Sequence, residues 1–148
     1  MPGSGSIHLR LILQHLGGRR PGLIIDLGCG TGTITRLLAG KGYDVWGIDM
    51  SEDMLAAAQQ HENAGGGGSI FYIQQDMREL DLPREAHSVI SACDCVNYLL
   101  TEEDLMQMFN GVYRCLLPGG LFIFDFNTKH KYRDVIGDTV IAENRDDE

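Results

Sequence analysis

The chain has 148 residues, 43% apolar and 22% charged, a balance that suits one soluble globular domain with a real core. Its net charge of −9 argues against an extended nucleic-acid footprint, which needs clustered Lys and Arg. No apolar run approaches the ~20 residues of a membrane span, so neither nucleic acid nor membrane is expected as a partner.

Residues 1–6, MPGSGS, read as a tag or linker remnant rather than a signal peptide, and residues 7–148 as a single domain. Leu9, Ile12, Leu13 and Leu16 fall at helical spacing, and Gly17 and Gly18 stop that helix. Residues 23–25 are then an unbroken apolar run, suited to a strand buried on both faces of a parallel sheet, and Asp26 closes it. Gly28, Gly30 and Gly32 alternate with small residues, and helix-compatible residues follow over 33–39. Strand, glycine turn and helix in that order open a nucleotide-binding α/β fold. Glycines permit positive φ and carry no Cβ, so a ligand can lie directly on the backbone. The G-x-G-x-G spacing brings the third glycine one residue earlier than the dinucleotide fingerprint, and no Lys-Ser or Lys-Thr completes a P-loop. A glycine-rich turn without a ligand is the plainer alternative, at a cost in backbone entropy.

Residues 43–48 read as the second strand, with Asp49 at its tip. That is about 20 residues past the glycine turn, where a nucleotide fold places its ribose-binding acid. Ser51 is a good N-cap, Glu52 and Asp53 suit the helix dipole, and the helix is expected to reach about Ala64. Residues 65–69, GGGGS, form a flexible connection, natural or introduced. The third strand spans 70–74, with Asp76 and Met77 at its end. A loop around Pro83 leads to a fourth strand over 87–92. Thr101 with Asp104 resembles a capping box and opens a helix to about Leu117. Pro118, Gly119 and Gly120 make a turn before a fifth strand at 121–126, and 139–142 is one further candidate strand. Strands alternating with helices imply right-handed crossovers and a parallel sheet with helices on both faces. Cys29, Cys93, Cys95 and Cys115 fall in predicted core elements without a C-x-x-C pair, which implies reduced thiols in a cytoplasmic protein. The five histidines are scattered, and no metal site is expected.

From Arg20 to about Lys131 the chain resembles the class I S-adenosylmethionine (SAM)-dependent methyltransferases. Asp26 to Gly32, DLGCGTG, reads much like their first motif, and LLPGG at 116–120 is a second shared feature. More loosely, VISACDCVNYL at 89–99 and IFDFNTKHKY at 123–132 look like small-molecule methyltransferases with a β-rich substrate cap after strand five. The resemblance implies a Rossmann-like doubly wound α/β sheet. A full sheet of that family has seven strands; about five are expected here, so the fold would be incomplete, its C-terminal part missing. Strand five would then be an open edge through which a homodimer could pair.

The same resemblance implies SAM as cofactor. Asp49 would accept both ribose hydroxyls in charge-assisted bonds. Met50 would pack on the adenine or serve as core filler. Asp76 would accept from the adenine amine or act as a turn residue, and Met77 would offer its backbone N–H to the ring. Gly28, Gly30 and Gly32 carry the motif, the first two under the methionine end. Asp26 would hold the glycine turn or the ammonium. Cys93 would lie near the methionine or sulfonium, or be a core thiol. Among acceptor-side candidates, Asp94, Asn97, Tyr98, Asp125 and Asn127, Tyr98 and Asn97 are the preferred pair. Holding nucleophile and methyl in line can be worth ~7–11 kcal/mol, so no obligatory base is required. The expected function is methyl transfer to a small molecule through O, N or C. A SAM-binding core without catalytic activity is the alternative, and a nicotinamide dehydrogenase a distant third.

Overall fold

The computed structural model describes residues 22–61, 67–91, 101–126 and 139–144. The expected helix at 7–16, and Cys93, Asp94, Asn97, Tyr98 and Asn127, lie outside them.

The apolar run after Gly22 forms β1 (Leu23–Leu27), buried at every position. It pairs in parallel with β2 (Asp44–Asp49) on one side and β4 (Ala86–Ser91) on the other. Beyond β2 lies β3 (Ile70–Gln74); beyond β4 lie β5 (Leu116–Phe126) and β6 (Thr139–Asn144). The sheet order is β3-β2-β1-β4-β5-β6, parallel throughout. Among the described residues the α-helices are α1 (Thr33–Gly40), α2 (Glu52–Gln59) and α3 (Glu102–Cys115). This is the expected α/β architecture.

Side-chain alternation along β1 separates two cores. Leu23, Ile25 and Leu27 join Met108, Phe109 and Val112 of α3 on one face. Ile24 joins Ile34 and Leu38 of α1, with Val45 and Ile90, on the other. The same alternation turns Asp26 toward α1. The sheet grows from β1 in two directions, β2 and β3 on one side and β4, β5 and β6 on the other, so the order switches between β1 and β4, and such sheets bind ligands outside the carboxyl ends of the strands near that point.

Four expectations on the fold change in detail. The second helix ends at Gln59, not near Ala64: the Gln60 N–H bonds to Ala57 and the His61 N–H to Ala58, tightening the last turn before the glycine-rich connection. The last helix ends at Cys115, not Leu117, because Leu116 already pairs with Ala86 as part of β5. Pro118, Gly119 and Gly120 are accordingly not a turn ahead of the strand but a bulged irregularity inside it, before Leu121 resumes pairing at Ser88. Finally, β5 is not an edge. Residues 121–126 pair with 139–144, so among the described residues the sheet has six strands, with β3 and β6 outermost.

Phe122 is fully buried at the centre of the α3-side core, edge-on to Phe109 with ring centroids 6.1 Å apart. Phe122→Ala should therefore cost ~3–5 kcal/mol of stability in urea unfolding, from lost burial and a cavity that cannot collapse. A loss below about 1 kcal/mol would show this core to be looser than its packing implies.

Candidate functional site

The glycine turn is bonded to the strand beside it. The N–H groups of Gly28 and Cys29 both donate to the Ile48 carbonyl, at 2.7 and 2.9 Å. Asp49 continues the attachment with its side chain: Oδ2 accepts from the Gly30 N–H and Oδ1 from the Ser51 N–H, each at 2.9 Å. One carboxylate thus holds the turn and the entry to α2 together. Ser51 caps that helix by accepting from the Met54 N–H at 3.2 Å. A carboxylate offers about four acceptor sites, so Asp49 retains capacity for a ligand.

Gly30 has φ +59, and nothing lies within 4 Å of where a Cβ would stand. Its backbone therefore borders open space. Gly32 differs: at φ +85 its missing Cβ would fall 2.5 Å from the Tyr72 hydroxyl and 3.2 Å from the Ala58 Cβ. It is required for packing the start of α1 against β3 and α2.

The open space is a cavity of about 630 Å³, bounded by residues 26–31, 33–34, 48–51, 54 and 75–78. Its size falls in the usual range of small-molecule sites, ~300–1,000 Å³. Of the residues expected to bind a ligand, Asp26, Gly28, Gly30, Asp49, Met50, Asp76 and Met77 line it, and Gly32 does not. Cys93, Asn97 and Tyr98 lie outside the described residues. Met50 is not core filler: it is 61% exposed and, with the 45% exposed Met54, forms an apolar wall. Met77 also packs partly against the α3-side core. Cys29, placed in the core by its sequence, is a half-buried thiol on the turn and faces the cavity.

Sequence reasoning did not find Met54, Gln75 or Arg78 on this wall. Met54 stands four residues after Met50, and Arg78 two after Asp76, so both signals were present but unremarkable. The Arg78 fork grips Asp76, with Nε on Oδ1 at 3.0 Å and Nη2 on Oδ2 at 2.6 Å. These bonds hold the Asp76 carboxyl below its ordinary range.

Asp26 is the opposite case. It is 2% exposed, and the Thr35 hydroxyl donates to Oδ2 at 2.6 Å. Its role is to tie β1 to α1; the turn itself is held by Asp49. Burial pushes its pKa from 3.8 up to about 6, the Thr35 bond pulls it down and the charge of Asp49 adds to the rise.

The methyltransferase domain family matches residues 24–120. YqeM of Bacillus subtilis (strain 168), designated a methyltransferase, is 41% identical over 127 residues, covering 85% of this chain and 51% of that protein. A ubiquinone biosynthesis O-methyltransferase of Pseudomonas savastanoi pv. phaseolicola (strain 1448A / Race 6) is 36% identical over 104 residues, 68% of this chain and 42% of the relative. Among solved structures, an S-adenosylmethionine-dependent methyltransferase from Clostridium acetobutylicum ATCC 824 superposes with TM-score 0.71 at 26% identity, covering 90% of this chain and 57% of the other. The chain belongs to the methyltransferase domain family, and it spans about half the length of the curated relatives it matches.

The raised pKa of Asp26 has a signed consequence for stability. Its contribution is full below the ordinary value of 3.8 and is lost as pH rises through about 6. Between about pH 5 and pH 7.5 the ligand-free protein should lose about 1 kcal/mol from this group, and Asp26→Asn should remove that slope. Urea unfolding of both proteins across this range checks it; parallel profiles would contradict a buried, titrating Asp26.

Proposed function

We propose that the cavity binds S-adenosylmethionine and that the protein transfers its methyl group to a small-molecule acceptor. The observation that carries this is the open backbone at Gly30 beside Asp49, a carboxylate with acceptor sites to spare at the tip of the neighbouring strand. That pairing suits a ligand that lays a compact chain on the turn and presents a diol to the acid.

The residues present fit the four parts of this cofactor. Asp49 would take the ribose hydroxyls while still holding Gly30 and Ser51. Met50 and Met54 supply an apolar, polarisable surface for the adenine, and Asp76 with the Met77 N–H addresses its polar edge. Gly28 and Gly30 leave room for the methionine end. Asp26, charged above about pH 6, answers its positive charge from beneath the turn. When bound, the cofactor supplies a methyl carbon already activated by its sulfonium. The protein's part is to fix its orientation, which by itself can lower the barrier by ~7–11 kcal/mol.

A small-molecule acceptor is supported by the name of the Pseudomonas relative, an O-methyltransferase of ubiquinone biosynthesis. Asn97 and Tyr98 are the proposed acceptor-side residues, and Cys93 a proposed neighbour of the sulfonium. The net charge of −9 speaks against nucleic acid. A cytoplasmic location is proposed from the cysteine pattern, which holds no C-x-x-C pair. Among the described residues no helix is long and apolar enough to cross a membrane. Among the described strands, a strand-edge homodimer would use β3 or β6. A second reading is cofactor binding without turnover.

Titration calorimetry with SAM, S-adenosylhomocysteine and NAD, followed by a labelled-methyl transfer assay, separates these readings. Tight SAM binding is expected, and turnover then distinguishes enzyme from binding core. Preference for NAD would overturn the assignment. Asp49→Ala should weaken SAM by about 100-fold, the scale of a lost charged hydrogen-bond pair. An unchanged dissociation constant would remove Asp49 from the site.

A further inference from the structure

The loop after β3 holds an arrangement that ligand contact alone does not require. Asp76 caps the short 3-10 turn Met77–Glu79, its Oδ1 accepting from the Arg78 N–H at 2.9 Å. The Arg78 side chain folds back onto the same carboxylate, Nε on Oδ1 and Nη2 on Oδ2. Its remaining nitrogen, Nη1, lies 3.6 Å from Oδ1 of Asp104 in the first turn of α3. The Asp104 N–H is in turn held by the Thr101 hydroxyl at 3.0 Å. Arg78 is therefore anchored from two elements, and both it and Asp76 face the cavity.

A count of acceptor sites gives this clamp a chemical meaning. A carboxylate has about four lone-pair positions. Arg78 fills three at Asp76: both on Oδ1, by its N–H and Nε, and one on Oδ2, by Nη2. One position on Oδ2 remains. An aspartate is an ionised carboxylate near neutral pH, and the bonds from Arg78 favour that form further, so the remaining position accepts. Whatever polar group a ligand brings there has to be a donor. A 6-amino purine satisfies this, whereas a 6-oxo purine would set its own acceptor oxygen against the carboxylate.

We propose that Arg78 determines purine specificity: by clamping Asp76 with a single acceptor position free, it makes the cavity take a 6-amino purine and reject a 6-oxo purine. This rests on the adenosyl cofactor proposed above, and adds a positioning residue for it. Arg78 works through Asp76, so its removal should relax discrimination and not merely weaken binding. A lysine cannot substitute fully, because it carries one point charge in place of the planar fork.

The test is calorimetric binding of S-adenosylhomocysteine and its 6-oxo analogue, S-inosylhomocysteine, to the protein and to Arg78→Met and Arg78→Lys. The unaltered protein should prefer the adenosyl ligand by about 100-fold, the range of a discriminating charged hydrogen bond. Arg78→Met should narrow that preference at least tenfold, chiefly by weaker adenosyl binding. Arg78→Lys should fall between the two, and it carries the test if the methionine variant does not fold. Equal losses for both ligands would mark Arg78 as merely structural and overturn the inference. So would an undiminished preference in both variants. Failure of the unaltered protein to bind S-adenosylhomocysteine at all would overturn the cofactor assignment, and this proposal with it.

Discussion

Asp49 is the joint on which the site is built. Its two oxygens bond backbone amides from opposite sides, Gly30 in the turn after β1 and Ser51 at the entry to α2. Those two amides belong to segments otherwise joined by the parallel ladder between β1 and β2 and by the bonds from Gly28 and Cys29 to Ile48. A backbone N–H buried without an acceptor costs about 1–3 kcal/mol, so the carboxylate removes that penalty at Gly30 and fixes the curvature of the turn together. The space beside Gly30 follows from this. The turn is drawn toward β2, and the left-handed Gly30 borders the cavity in front of it.

Two acids serve this region, and their surroundings divide their labour. Asp49 is half-buried and rests on backbone donors. Asp26 is sealed in the sheet, bonded by Thr35, and carries a raised pKa because water is excluded. Bringing a cation near Asp26 would recover energy that the ligand-free protein lacks. Sites for charged ligands often carry strain of this kind before the ligand arrives. Asp76 completes the contrast, since Arg78 keeps it charged and leaves it little freedom.

Much of this was readable from the residues. The apolar run ending in Asp26, the three alternating glycines and Asp49 at its distance all correspond to structure, because each reflects backbone geometry that only certain residue types allow. Met50 and Asp76 both line the cavity, although the choice between core and cavity for Met50 needed its exposure. Gly32 was grouped with its neighbours by motif, yet its constraint comes from Tyr72 and Ala58, which are distant in sequence. Arg78 was passed over for a similar reason. A single arginine in a charged loop has no periodic signature, and its meaning comes from the Asp76 carboxylate two residues before it together with Asp104, which the fold brings to it. The early start of β5 was hidden by Pro118-Gly119-Gly120, which locally suggests a turn while pairing with β4 carries the strand through.

The sheet order has a consequence for how the chain is made. β1 is synthesised before the other described strands but finishes between β2 and β4. Its partner across Ile24 is Ser88, far down the chain. At ribosomal speeds of about 5–20 residues per second, several seconds separate their emergence. During that interval the nascent sheet can consist of β3, β2 and β1 alone, with an apolar flank of Leu23, Ile24 and Ile25 uncovered. Such a flank invites wrong partners, so in a cell this protein is most vulnerable in the seconds before β4 leaves the exit tunnel.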